Sequence, residues 1–380
     1  MIDAIVPNQV VRGLSSDPAI GVTILGAHFS GSTARLGENL QITVTGLSST
    51  VISGTLAPDM PSGIYALTVQ NADLQQATLP RAFTVVPSPH PSTTLDSDTA
   101  FVSTAGSGVP PAQGDDDHLQ VVFFEVLEGP DDPFYVRIFD ADTGSTYDEV
   151  GLDNAFGDTA TTLTLLGGPG AYTEPDARSP HPGAAGISSG QIIAQQTITV
   201  DGALDGSWLT WPLQRSQGEL VGGSRVFKLV VEGTSGDDVN WYQLAFSSSS
   251  GDNSVVPGAR IFAYSWSVVL PGVGDQVALY PFVPVGADRL TQFNFDLDLS
   301  PGTNAMLTTP LRNLPVIGLS GNGDVASQQF ALFSGEQAAT WTARYTSAYP
   351  PGNNLFSIWF LANDITPLAI FTEPSLSPPP

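Results

Sequence analysis

Residues 61–69 read Pro-Ser-Gly-Ile-Tyr-Ala-Leu-Thr-Val, a turn containing proline and glycine that passes directly into an apolar run. Turn residues followed by such a run are typical of a β-strand that leaves a tight turn. Similar runs, rich in Val, Ile, Thr and Phe, lie at residues 21–25, 40–45, 119–126, 134–139, 192–200, 225–232, 241–247, 260–270, 328–333 and 354–361. The 39 glycines and 31 prolines interrupt most windows in which a helical period could develop. The sequence therefore predicts an all-β chain of serial β-sandwich domains.

Two changes in composition predict domain boundaries. The first is the proline-spaced segment at residues 86–92, which we expect to be extended. The second is a stretch with proline and glycine at residues 270–274. Together they divide the 380 residues into a first domain at 1–87, a β-sandwich domain with Asp-rich loops at 88–270 and a C-terminal β-sandwich domain at 271–380.

The first domain carries three motifs in a fixed order. Residues 22–29 hold a Val-Thr-Ile run followed by a glycine and a phenylalanine, residues 61–69 hold the turn and strand, and Phe-Thr-Val at 83–85 closes the domain. In this order the motifs resemble the IPT/TIG family of immunoglobulin-like folds, over roughly residues 5–86. One hairpin departs from the family, because residues 71–74 lack the glycine that often follows the Asp. The resemblance implies a spacer, packing or interaction module that supplies no catalytic residues.

Charge is scarce and of one sign. Only 13% of residues are charged, and 37 acidic against 12 basic residues give a formal charge of −25. Lys228 is the sole lysine, and the arginines are scattered along the chain. Without a basic patch, binding to nucleic acids or to anionic membranes has no electrostatic basis. We therefore expect no nucleic-acid partner. No run approaches the roughly 18 apolar residues of a membrane-spanning helix, so we also expect no membrane insertion.

The composition also bears on location. There is no cysteine, which excludes disulfides, thiolate catalysis and cysteine-bound metals. Little lysine together with much Gly, Ser and Thr favours a secreted protein. Residues 1–4 have neither the basic nor the apolar part of a signal peptide, and we expect that such a peptide has been removed. The predicted location is extracellular or at the cell surface.

Carboxylates are concentrated in the loop that follows the 134–139 run. Asp140 and Asp142 alternate there, and Asp148 and Glu149 follow a turn that contains glycine. Hard oxygen ligands that converge on one loop suit Ca²⁺. The spacing departs from an EF-hand loop, since a glycine takes the third alternating position and no helices flank it. The sequence therefore predicts a calcium site of a different geometry.

Further acids could complete this site or form another. Asp237 and Asp238 are a second candidate for binding calcium. The other acids considered are Asp115, Asp116, Asp117, Asp131, Asp132, Asp153 and Asp158. They would contribute if their loops meet at one end of the sandwich. The alternative is that each Asp only starts a turn, where its carboxylate accepts a hydrogen bond from the backbone.

The sequence signals for a catalytic site are weak. The four histidines have no metal-binding spacing, and Gly-Ile-Ser-Ser-Gly at 186–190 is one residue out of frame for a nucleophile elbow. Glu125 and Glu128 with Asp140 are nominal candidates for glycoside hydrolysis. Lys228 could form an isopeptide staple, although an ordinary edge lysine is the simpler interpretation. The sequence predicts a protein that is not an enzyme.

The tryptophans offer an alternative function. Exposed coplanar indoles stack on sugar rings, and Trp208 and Trp211 lie close together in one short segment. The other four tryptophans lie in apolar strand contexts, where a large ring usually fills the space between sheets. Trp208 and Trp211 are therefore the candidate residues for binding carbohydrate.

Together these patterns predict a secreted structural protein without enzyme activity. The main hypothesis is a self-assembling subunit of a microbial filament, sheath or surface layer, stabilised by calcium and contacting other copies of itself. The alternative hypothesis is an accessory protein for adhesion or carbohydrate binding that contacts cell-surface glycans.

Overall fold

The structure of the protein is a computed structural model. It describes residues 1–11, 19–37, 40–57, 60, 63–86, 95, 97, 99–109, 117–144, 147–151, 155–254, 256–272, 274–297, 305–320, 323–347, 355–375 and 377–380. Residues 87–92 of the proline-spaced segment and Asp115, Asp116 and Asp153 lie outside these ranges. Within them, no helix has the length and apolarity needed to cross a membrane.

The first 86 residues form a sandwich with its own core. Its strands are β1 (Ile2–Val6), β2 (Gln9–Val11), β3 (Ile20–Gly26), β4 (Thr33–Leu36), β5 (Leu40–Leu47), β6 (Val51–Leu56), β7 (Gly63–Gln70) and β8 (Gln76–Val86). They follow the order β1-β3-β6-β5-β4-β7-β8-β2, in which β5 pairs with both β4 and β6. Ile24 and Ile52 on one side and Leu36, Leu67 and Phe83 on the other are fully buried in one cluster. Alternation of apolar and polar residues along these strands places one face of each inside.

The remaining strands build two larger sheets. They are β9 (Phe101–Ala105), β10 (Leu119–Leu127), β11 (Phe134–Phe139), β12 (Ala160–Gly167), β13 (Gln191–Ile198), β14 (Trp208–Leu213), β15 (Glu219–Val221), β16 (Ser224–Ser235), β17 (Val239–Ser247), β18 (Arg260–Ala263), β19 (Ser265–Val269), β20 (Gln276–Val283), β21 (Arg289–Phe295), β22 (Ala305–Thr308), β23 (Asn313–Pro315), β24 (Val325–Ala331), β25 (Ala339–Thr340), β26 (Thr342–Thr346), β27 (Leu355–Ala362), β28 (Thr366–Pro367) and β29 (Ile370–Phe371). The described helical segments are α1 (Ala184–Ser188) and 3₁₀ turns at Pro175–Arg178, Arg215–Gln217 and Ser334–Glu336. The all-β sandwich prediction is confirmed.

Among the described residues, one sheet has twelve strands and the other nine. The larger runs β13-β12-β16-β10-β18-β29-β20-β26-β22-β23, with β15 beside β16 and β25 beside β20. The smaller runs β14-β11-β17-β9-β19-β27-β21-β24, with β28 beside β27.

Both sheets continue past residue 270, where the sequence predicts a domain boundary. In the larger sheet β29 joins β18 to β20, and in the smaller one β19 pairs with β27. Trp266 and Trp341, one from each side of residue 270, are fully buried in the same cluster. The predicted second and third domains therefore share two sheets and one core.

The larger sheet is also covered on its outer face. Val122 and Phe124 of β10 point into the core between the sheets, whereas Val121 and Phe123 pack beneath Tyr172 and its neighbours. Burial on both faces explains why residues 119–126 form a nearly continuous apolar run.

Lys228 of β16 lies under the same cover and is fully buried. Its Nζ donates to the Gly186 carbonyl oxygen at 2.5 Å and to Ser189 Oγ at 2.8 Å. Burial lowers its pKa to about 8, although the negative charges of Glu174, Glu219 and Asp176 act to raise it. The lysine therefore fixes the end of α1 to the sheet, and it is not an exposed edge residue.

Candidate metal centre

The loop after β11 is held against a turn that follows β13. β11 pairs with β14, so the residue after β11 meets the residue before β14, and Asp140 N donates to the Ser207 carbonyl oxygen at 2.9 Å. Asp140 has a left-handed backbone with φ of 55°, which Asp tolerates better than most residues. Gly206, with φ of 62°, takes the conformation that glycine allows and turns its N–H toward Asp140.

Two carboxylates of the loop each accept one hydrogen bond from this turn. Gly206 N donates to Asp140 Oδ1 at 2.7 Å, and Asp201 N donates to Asp142 Oδ2 at 2.9 Å. Asp140 is 0% exposed and Asp142 is 1% exposed. Their other oxygens, Asp140 Oδ2 and Asp142 Oδ1, are buried and have no hydrogen-bond partner among the described residues. Each oxygen is therefore an acceptor that lacks a donor.

The electrostatics of this group are unfavourable for ionised carboxylates. Burial raises the pKa of Asp140 to about 7, and repulsion from Asp142 and Asp205 adds to the shift. Burial also raises the pKa of Asp142, with added repulsion from Asp205 and Asp201. The charged groups that act on these two carboxylates are thus other carboxylates. We call Asp140, Asp142 and Asp205 the acidic centre.

Asp148 and Glu149 brace the loop. Asp148 accepts from Trp241 N at 2.7 Å and from Gly144 N at 2.5 Å, so both of its oxygens bind backbone. Burial raises its pKa to about 8, with repulsion from Asp140 and Asp142. Glu149 pairs through its backbone with Val239 of β17, and burial raises the pKa of its carboxyl. These two residues attach the loop to β17.

Asp237 and Asp238 belong to a separate group. Carboxylate oxygens of Asp158, Asp237 and Asp238 lie within 4.8 Å of one another. Asp238 is fully buried, accepts from Gly151 N at 2.8 Å and leaves Oδ2 without a partner among the described residues. Burial and repulsion from Asp158 and Asp237 raise its pKa. We call these three residues the hairpin cluster.

The structure therefore divides the six predicted metal ligands into three sets. Asp140 and Asp142 form one set, and Asp237 and Asp238 form another. Asp148 and Glu149, which attach the loop to β17, form the third. Sequence reasoning missed Asp205, whose signal is the Asp-Gly pair at 205–206 in a short turn after a strand. Of the other acids considered, Asp158 joins the hairpin cluster, whereas Asp131 is bound elsewhere by Ser216.

Carboxylate oxygens with free lone pairs are the ligands that hard cations such as Ca²⁺ prefer. A buried, ionised carboxylate without a partner is costly, and the cost is removed either by protonation or by a bound cation. The acidic centre can therefore hold a proton. A metal ion there would require its carboxylates to move closer together, because among the described residues only the hairpin cluster brings three acidic side chains within 4.8 Å of one another. Its residues fit calcium by donor type, and the unpartnered oxygens are the structural observation that supports this fit.

Trp208 and Trp211 lie on opposite faces of β14. Trp211 pairs with Val136 and packs against the core, whereas Trp208 pairs with Phe139 on the outer face. Phe139 lies 5.4 Å from the Trp208 ring, and the Arg137 guanidinium lies 4.6 Å above that ring. The two indoles cannot form one stacking platform, because residues three apart in a strand face opposite ways.

The glutamates considered for glycoside hydrolysis are held by arginines. Glu125 is 2% exposed, lies 2.5 Å from Arg260 Nη2 and accepts from Ser224 Oγ. Glu128 lies 2.5 Å from Arg225 Nε. Neither carboxylate is placed beside Asp140 by the strand register.

Comparison with known proteins gives no family assignment. No family model matches the chain, and no curated protein matches it. Among solved structures, a gamma-CGTase from alkalophilic Bacillus clarkii matches 67% of this chain at 14% identity, with a TM-score of 0.22. A Bacteroides ovatus SGBP-B of a mixed-linkage glucan utilization locus, in complex with a mixed-linkage heptasaccharide, matches 59% at 13% identity, with a TM-score of 0.16. This chain spans 26% and 51% of those two proteins, and such low scores assign neither a fold nor a function.

Proposed function

We propose that the protein is a secreted structural protein of a microbial surface, without enzyme activity, whose large sandwich is stabilised by Ca²⁺ at the acidic centre. The observation that carries the calcium site is the pair of buried oxygens, Asp140 Oδ2 and Asp142 Oδ1, that lack a partner among the described residues. The IPT/TIG-like sequence of the first domain supports a spacer or packing role for that part of the chain.

Calcium suits the centre better than magnesium does. Ca²⁺ accepts six to eight oxygen ligands in flexible geometry, whereas Mg²⁺ demands a regular octahedron. The acidic centre is built from a loop and a turn, so its oxygens are not fixed by one rigid element. At the extracellular location that the composition predicts, a dissociation constant of roughly 10⁻⁴ to 10⁻³ M would be typical of such a calcium site.

Bound calcium would join the 140–149 loop to the 201–207 turn more firmly than two hydrogen bonds do. Both segments connect strands at one end of the two sheets, since β13 and β14 are terminal strands. The ion would therefore stiffen that end of the sandwich.

Thermal unfolding of the full chain tests the calcium site. We expect the melting temperature to rise when Ca²⁺ replaces a chelator, because a ligand at about one hundred times its dissociation constant adds about 2.7 kcal/mol of stability. The Asp140→Asn/Asp142→Asn variant should lose this rise. The matched control, Asp131→Asn/Asp132→Asn, removes the same charge elsewhere and should keep it. An equal rise in the acidic-centre variant would disprove the site, and no rise in the wild-type chain would disprove calcium binding.

Carbohydrate binding is a second candidate, supported by a row of aromatic rings. Phe139 lies 5.4 Å from Trp208 and 5.5 Å from Tyr147, and Tyr147 lies 5.6 Å from Phe101. Phe139, Tyr147 and Trp208 are only partly buried, and the row begins at the residue before Asp140. The ring planes of Phe139 and Trp208 meet at 52° and those of Phe139 and Tyr147 at 68°, so a sugar would stack on Trp208 alone, with the other rings at its border.

Tryptophan fluorescence during titration with soluble oligosaccharides tests this candidate. We expect Trp208→Ala to abolish any sugar-dependent change, since Trp208 lies on the outer face. Trp211→Phe, on the core face of the same strand, is the matched control and should retain it. A response that survives in Trp208→Ala, or no response to any glycan in an array, would remove the candidate.

A further inference from the structure

β13 forms one end of the larger sheet. It pairs with β12 on one side, and within the described residues no strand pairs with its other side. A strand in this position presents backbone N–H and C=O groups to which a further strand can bind.

The sequence of β13 lacks the charges and prolines that usually protect an edge. Gln-Ile-Ile-Ala-Gln-Gln-Thr-Ile contains no charged residue, no proline and no glycine, and Ile192 is 61% exposed. Charges, prolines and bulges normally keep such edges from pairing with other chains. A bulge does occur at Ile193, but residues 194–198 keep a regular antiparallel register with β12. The regular part of the edge is therefore open, and it ends in two β-favouring residues, Thr197 and Ile198.

The charge of the chain favours a second copy as the occupant of this edge. Each copy has a formal charge of −25, so most pairs of surfaces from two copies repel each other. β13 is an uncharged strip eight residues long, on which two copies can approach without opposing carboxylates. In a two-fold antiparallel pair with Gln195 opposite Gln195 of the second copy, Ala194 lies opposite Gln196, and every cross-strand pair is uncharged. The strand is thus complementary to itself.

We propose that β13 is an assembly edge, at which β13 of a second copy pairs antiparallel and extends the larger sheet across two molecules. This proposal rests on the proposed structural function and names the partner for it. A two-fold pair of this kind closes on itself, so it supplies one contact of an assembly, and a fibre would need another contact elsewhere.

The acidic centre lies at one end of this edge. Asp201 follows β13 by three residues, and its N–H donates to Asp142. In the antiparallel pair, that end meets residues 188–190 of the second copy, which read Ser-Ser-Gly and carry no charge. Calcium at the acidic centre would reduce the negative charge beside the contact. The dimer should therefore be tighter in calcium than in a chelator.

Sedimentation velocity over a concentration series of the full chain in calcium tests the assembly edge. The Gln195→Lys/Thr197→Lys variant places two cations on exposed positions of the edge, and we expect dimerisation at least about tenfold weaker, because like charges opposed across strands repel. The control, Gln41→Lys/Thr43→Lys, makes the same charge change on exposed positions of β5, which pairs on both sides. Both variants reduce the net negative charge by the same amount. The reduced long-range repulsion alone would therefore strengthen dimerisation equally in both.

The outcomes separate this proposal from the calcium site. A wild-type chain that stays monomeric at every concentration, or a dimer unaffected by the β13 lysines, would overturn the assembly edge. Ile192→Lys, at a mostly exposed position, gives an independent second variant. The edge variants should keep the calcium-dependent rise in melting temperature, whereas Asp140→Asn/Asp142→Asn should lose it. Amide exchange that slows in β13 on dimerisation would locate the contact, and slowing confined to another strand would contradict it.

Discussion

Two regions of the large sandwich treat buried carboxylates differently. Glu336, after β24, is fully buried and lies 2.8 Å from Arg312 Nε, and it also accepts from Thr309 Oγ1 and Phe333 N. Asp140 and Asp142 are equally buried, yet each has an oxygen without a partner, and the charges acting on them are negative. The first arrangement is complete within the chain, whereas the second requires a proton or a cation from solution. A buried carboxylate that is paired within the chain is therefore a structural ion pair, whereas a buried carboxylate with an unpartnered oxygen is a candidate binding site.

The largest effect should come from breaking the complete arrangement. Arg312→Met leaves Glu336 buried without its cation, and we expect a loss of about 3 kcal/mol or more in the free energy of unfolding. Urea unfolding measures this loss. The control, Arg289→Met, breaks the exposed Arg289–Asp364 pair and should cost far less, because solvent screens both charges. Equal losses would show that burial does not set the strength of these pairs.

The next prediction concerns whether a substitution at the acidic centre stabilises or destabilises the chain. In a chelator, at a pH about one unit above the Asp140 pKa of about 7, Asp140→Asn should stabilise the chain by about 1 to 2 kcal/mol, because it removes a buried, repelled charge. In saturating calcium the same change should destabilise it relative to the wild type. Urea unfolding under the two conditions measures both signs. The same sign in both would contradict a cation-dependent centre.

The pH dependence of the calcium-free chain should follow from the same carboxylates. The pKa of Asp140 is raised to about 7 and that of Asp148 to about 8, both from 3.8. The folded state therefore holds protons that the unfolded state has released, so stability should fall as pH rises from about 4 to about 8 and then level off. Calcium should flatten the fall that Asp140 contributes. Melting temperatures across this range, with and without calcium, give the measurement, and rising stability would refute it.

The smallest effect should come from the hairpin cluster. Asp158 is exposed and Asp237 is half-buried, so solvent screens this group more than the acidic centre. We expect Asp238→Asn to change the free energy of unfolding by about 1 kcal/mol or less and to leave the calcium response of the acidic centre intact. Calcium-dependent unfolding of this variant is the measurement. Loss of the response would show that the two groups act as one site.

Fold class was readable from the sequence because strand signals are local. The 134–139 run coincides with β11, and the 192–200 run overlaps β13, with its end displaced by two residues. The continuity of both sheets past residue 270 was not readable, because β19 pairs with β27 across about ninety residues of chain. A proline and a glycine near the end of a strand mark a turn, which need not be a domain boundary.

Only part of the candidate site could be predicted from the sequence, because the site also depends on pairing between distant segments of the chain. Asp140 and Asp142 stand out as an alternating pair, but Asp205 reaches them through the pairing of β11 with β14, which no local pattern reveals. Burial, which turns an ordinary Asp turn into an acidic centre, depends on the packing of the 201–207 turn against the loop. The opposite faces of Trp208 and Trp211, in contrast, could have been read from their spacing of three once the segment was recognised as a strand.

The burial of Lys228 has a practical consequence for handling the protein. Because it is the sole lysine and is fully enclosed, no lysine amine is available on the folded surface to amine-reactive dyes or cross-linkers. A lysine-specific protease can cut the chain at one position, and only after β16 has left its sheet. The rate of that single cut, followed on a gel, would therefore report the opening of the large sandwich without any engineered label.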